Sequence, residues 1–68
     1  MTATALEDVW RRESPHVLAA LLRRHRDLGD CEDAAQEAAA AAAVQWVRDG
    51  VPTHTRAWLS RVAARRLV

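Results

Sequence analysis

Residues 29–50 read GDCEDAAQEAAAAAAVQWVRDG, and the architecture follows from them. The six consecutive alanines from Ala38 to Ala43 have the highest helix propensity of any residue type. Asp30 is placed to cap the start of this helix, and Glu32 and Asp33 add negative charge to its first turn, where the helix dipole favours it. The helix is expected to persist through Trp46 or Val47, and Asp49-Gly50-Val51-Pro52 breaks it. At roughly 100° per residue, Ala35, Ala38, Ala39, Ala42 and Trp46 fall on one side, the natural core face. Asp33, Gln36, Glu37, Ala40, Val44 and Val47 fall on the other. That second face is acidic at its start and apolar further along. Either it docks a basic protein surface, or its acids only satisfy the helix dipole.

Upstream, apolar residues recur at helical spacing between Ala5 and Arg26: Leu6, Val9 and Trp10, then Val17, Leu18, Leu21 and Leu22. Ser14-Pro15 fits an N-cap followed by a first helical position, where proline's missing N–H costs nothing. A short helix, a break or kink, and a second helical stretch are therefore expected. Gly29 suits the left-handed conformation that follows a helix C-terminus. Downstream, a final helix is expected from His54 or Thr55 to the end of the chain, with Trp58, Leu59, Val62, Ala63 and Leu67 on one side. Strands have nowhere to fit. The expected fold is all-α, a compact bundle of three to four antiparallel helices, with Trp10, Leu21, Trp46, Trp58, Leu59 and Val62 in its core.

At 68 residues the chain holds one domain. Half of it is hydrophobic by count, but alanine removes little apolar area from water, so the core should be thin. Cys31 is alone, which excludes an internal disulfide and favours the cytoplasm. The longest apolar run, Ala38 to Val44, is far short of the roughly 20 residues needed to span a bilayer. The first residues, MTATALEDVWRR, do not read as a secretion signal.

The net charge is only +1, yet all ten basic residues are arginine and they are unevenly placed. Asp27 to Glu37 carries five acids and no base, whereas His54 to Val68 carries Arg56, Arg61, Arg65 and Arg66 and no acidic side chain. Arg61 and Arg65 stand one helical turn apart with Arg66 beside them. They could follow a nucleic-acid backbone or simply occupy a solvated face. Trp58 could stack on an unpaired base or pack in the core. Catalysis finds little support: His16, His25 and His54 have no metal-type spacing, and the acidic surroundings of Cys31 raise its thiol pKa. No catalytic residue, metal or cofactor is expected.

GDCEDAAQEA and the following QWVRDGVPTHTRAWLSRVAARRLV resemble region 2 of extracytoplasmic-function sigma factors, members of the sigma-70 class. Asp30, Glu32, Asp33, Gln36 and Glu37 match the family's acidic D-x-E-D-x-x-Q-E stretch. Trp46, the turn from Arg48 to Pro52, and Ala57 to Leu59 resemble in particular the subgroup with a long helical C-terminal extension. The resemblance implies a transcription initiation domain that docks on the clamp helices of the RNA polymerase largest subunit through Glu32, Asp33, Gln36, Glu37 and Val44. It also implies contact with promoter DNA at the −10 element, with Arg56, Arg61, Arg65 and Arg66 facing the phosphates. An anti-sigma factor or a second copy of the chain is the alternative partner. Ala39 and Ala43 stand where the family carries large apolar residues, so a looser bundle is expected. The chain is expected to be a piece of a longer protein.

Overall fold

The computed structural model describes residues 3–67. These form three helices, α1 (Ala3–Leu22), α2 (Leu28–Asp49) and α3 (Thr55–Arg65), and no strand. A helix of 22 residues, the length of α2, spans about 33 Å at 1.5 Å per residue, and the molecule's longest dimension is 33 Å. The long alanine-rich helix therefore sets the length of the bundle. Sequential helices run antiparallel: Glu37 of α2 meets Arg66 just past α3, and Trp46 meets Trp58. The first and third are parallel, because Glu13 contacts Thr55 and Arg56 while Leu21 shares a groove with Ser60 and Ala64.

Four local expectations are corrected. The chain does not break at Ser14-Pro15, and α1 runs through Pro15 as one helix, so the bundle has three members. Apolar residues on both sides of the proline, Trp10 before it and Val17 and Leu21 after it, join the same core cluster. Their burial outweighs the roughly 3 kcal/mol that a mid-helix proline costs. The cap of α2 is Asp27, whose side chain accepts a hydrogen bond from the Asp30 N–H at 2.9 Å. Asp30, the expected cap, is instead the donor in the first turn. Gly29 consequently lies inside α2. Gly50, at φ 93°, is the described glycine in left-handed backbone, and its N–H closes the helix on the Trp46 carbonyl at 2.9 Å. The final helix also ends at Arg65 rather than running to the terminus.

The core is built on small residues. Of ten buried hydrophobic residues, five are alanines, namely Ala34, Ala35, Ala38, Ala42 and Ala63. A face this flat permits close approach of α1 and α3 to α2. Larger anchors fill the remaining space: Val17 and Leu21 from α1, Trp46 from α2 and Leu59 from α3 are buried, with Trp10, Trp58 and Val62 packed at the edge. Trp46 and Trp58 meet edge to face, centroids 5.2 Å apart at 64°, an arrangement the ring quadrupole favours. Ala39 is only partly buried and Ala43 is exposed. Of these two, only Ala39 borders the core.

Candidate functional site

Local helix geometry presents the acid face. The Asp27 cap fixes the phase of α2, and burial of Cys31, Ala34, Ala35, Ala38, Ala42 and Trp46 fixes its rotation. Glu32, Asp33, Gln36 and Glu37 are consequently left exposed. Val44 and Val47 continue toward the C-terminus of α2 at 65% and 64% exposure, unusually high for valine. Asp33 has no ion-pair partner among the described residues. Glu37 meets the Arg66 Nε at 3.5 Å, with both side chains more than half exposed. A pair so open to water is screened and exchangeable, worth about 0–1 kcal/mol, and an incoming cation can replace it.

The N-terminus of α2 and the C-termini of α1 and α3 share one end of the bundle. A cleft there is lined by His25, Asp30, Asp33, Glu37 and Arg66. His25 Nε2 lies 2.9 Å from Asp30 Oδ2. Around the corner, a shallow groove between α1 and α2 brings Trp10, Pro15 and Leu18 beside Glu32 and Gln36. Acidic and amide side chains thus border apolar surface, as a protein-docking patch does.

The four basic candidates separate. Arg61 and Arg65 are exposed, lack a carboxylate partner among the described residues, and form a ridge between two grooves. One groove lies toward α1; the other contains Gln45, Trp58 and Arg66. Arg66 is tied loosely to Glu37. Arg56 requires a correction, because its charge is already spoken for. Its Nε donates to Glu13 Oε1 at 3.0 Å, and its Nη2 lies 3.0 Å from the same oxygen. Glu13 is 6% exposed, the buried charged residue of the described chain, and the Thr55 hydroxyl also donates to it at 3.2 Å. Burial pushes the Glu13 carboxyl up, but the hydrogen bond and charge of Arg56, aided by Thr55 and Arg12, outweigh it and hold the carboxyl below the usual glutamate range. Arg56 therefore holds α3 to α1. Sequence reasoning missed Glu13, although it stands on the apolar stripe of α1, four residues after Val9 and four before Val17, because a glutamate there carries no apolar signal of its own.

Cys31 is fully buried and donates from Sγ to the His25 carbonyl at 3.3 Å. Burial, and then the charges of Asp27 and Asp30, push its thiol pKa up, so it is a poor nucleophile. Among the described residues no group of three or more His, Cys, Asp or Glu could hold a metal ion, and no helix is long and apolar enough to cross a membrane. No protein-family model, curated protein or solved structure matches the chain.

Proposed function

We propose that this chain is a transcription initiation module of the extracytoplasmic-function sigma type, acting in the cytoplasm without catalysing a reaction itself. It docks on the clamp helices of RNA polymerase through the outer face of α2 and contributes to contact with the −10 region of promoter DNA. The supporting observation is that face itself: Glu32, Asp33, Gln36 and Glu37 are exposed together, with Val44 further along the same helix. Carboxylates presented this way suit arginines of a helical partner, which bind them through charge-assisted, often bidentate hydrogen bonds. Arg61 and Arg65 supply the DNA-facing charge, with Arg66 available once Glu37 is engaged by the partner.

Capture of the whole chain on an immobilised clamp-helix fragment tests the docking. The D33R/E37R variant should lose binding while retaining its helical circular-dichroism spectrum; capture equal to that of the parent chain would rule the docking face out.

A second reading is favoured by the exposure of Val44, Val47 and Val51 near one end of α2: a module that self-associates or binds a regulator such as an anti-sigma factor. Sedimentation at increasing concentration distinguishes it. A strict monomer that binds the clamp fragment supports docking, whereas concentration-dependent dimers that bury Val44 and Val47 support the second reading.

A further inference from the structure

The arginines divide into two groups. Arg11, Arg12, Arg48, Arg56 and Arg66 each lie within 4.0 Å of a carboxylate oxygen. Arg23, Arg24, Arg26, Arg61 and Arg65 have no such partner among the described residues. Four of these five, Arg23, Arg24, Arg61 and Arg65, line a single open groove of about 680 Å³ between the end of α1 and the second half of α3. Its remaining lining is Ala20, Leu21, Ser60 and Ala64, with no acidic residue.

Helix ends alone do not account for this clustering. α1 and α3 run parallel, so their C-termini lie together, and each contributes about −0.5 of an elementary charge. Four guanidinium groups leave an excess of about +3 over those two helix ends. Like charges held side by side repel, and among the described residues no carboxylate lies within 4.0 Å of any of the four. An anion from outside would offset that repulsion.

We propose that this groove is a binding track for the phosphate backbone of a nucleic acid, and that Arg23 and Arg24 of the α1 end complete it with Arg61 and Arg65. It extends the DNA-contacting half of the function proposed above and rests on that reading for its biological setting, though not for its geometry. Three features favour a phosphodiester chain over a carboxylate ligand. The groove is open to solvent rather than an enclosed pocket, which leaves room for a polymer. Arg61 and Arg65 repeat at about 6 Å along the α3 axis, which suits an anion that also repeats. Guanidinium forks above a floor of alanine and leucine suit phosphates joined by sugars. Trp58 is partly exposed beyond the Arg61–Arg65 ridge, within the path of a strand that crosses it.

Fluorescence anisotropy of the whole chain with a labelled mixed-sequence single strand, its duplex, and a polyglutamate peptide, each over a salt series, tests this. Each lost phosphate contact removes about 0.7 from the salt slope on a single strand, so R23Q/R24Q and R61Q/R65Q should each lower that slope by about 1.4. The charge-matched control R11Q/R48Q should leave it unchanged. Tighter binding of the single strand assigns the track to melted DNA, and tighter binding of the duplex assigns it to paired DNA; both support a phosphate site. The proposal is overturned if R23Q/R24Q binds like the control, if polyglutamate binds as well as either nucleic acid, or if nothing binds. Asp33 and Glu37 do not line the groove. Failure of clamp capture with nucleic-acid binding intact therefore removes the docking reading alone, and the reverse result removes only the track.

Discussion

Arg56 reaches Glu13 across 43 positions of chain and meets its Oε1 at 3.0 Å through Nε, so the first turn of α3 is bound to the middle of α1 by a partly buried ion pair. The carboxylate is almost wholly enclosed, whereas the Arg56 side chain is about half exposed. Removing the arginine therefore leaves a largely enclosed carboxylate without its main partner, while removing the carboxylate frees a guanidinium that is already half exposed. R56A should lower stability by about 1–3 kcal/mol, and E13Q by less, as read from urea midpoints. Equal losses would show that the enclosure of Glu13 has no energetic consequence. R56Q should leave nucleic-acid affinity nearly unchanged, because this arginine is already engaged.

Acid should weaken the fold through the same residue. The Glu13 carboxyl has a lower pKa folded than its ordinary value of 4.5, so the native state favours its charged form. The corresponding stability is complete above about pH 4.5 and is lost as the pH falls through the folded pKa. Thermal midpoints collected from about pH 7 downward should drop in that acid window, and E13Q should flatten the drop. Asp49, whose carboxyl is held low by its hydrogen bond to Arg48, shifts the same way but is exposed and screened, so D49N should change the profile little.

The two aspartates at the entry to α2 should behave differently on substitution. Asp27 satisfies an orphan N–H of the first turn, so D27A should cost about 1 kcal/mol of stability. D30A removes the exposed contact with His25 and one exposed acid of the first turn, and should cost about 0.5 kcal/mol. A larger effect at Asp30 would overturn the assignment of the cap.

Close packing on small residues makes the core intolerant of added volume. Ala38 is fully buried on the side of α2 that faces the other two helices. A38L should destabilise by about 1–3 kcal/mol through overpacking, whereas A43L, on the exposed side, should stay within about 0.5 kcal/mol in the monomer. Chemical denaturation of both variants checks the contrast.

Whatever depends on neighbouring residues along one helix could be read from the chain alone. The alanine run, the 3.6-residue spacing of Ala35, Ala38, Ala42 and Trp46, and the Gly50 stop are short-range signals, and they specified helix rather than strand, most of the inner face of α2 and the exposure of Asp33, Gln36 and Glu37. Propensity and periodicity act within a few residues, which is why these features held, whereas Ala39, expected on the inner face, is only partly buried and the expected break in α1 is absent. The tolerance of Pro15, the selection of Asp27 over Asp30, the capture of Arg56 by Glu13 and the meeting of Arg23 and Arg24 with Arg61 and Arg65 became definite only when the helices packed. Each balances a local cost or charge against contacts supplied by residues far away in the chain, and no local pattern encodes which distant partner will arrive.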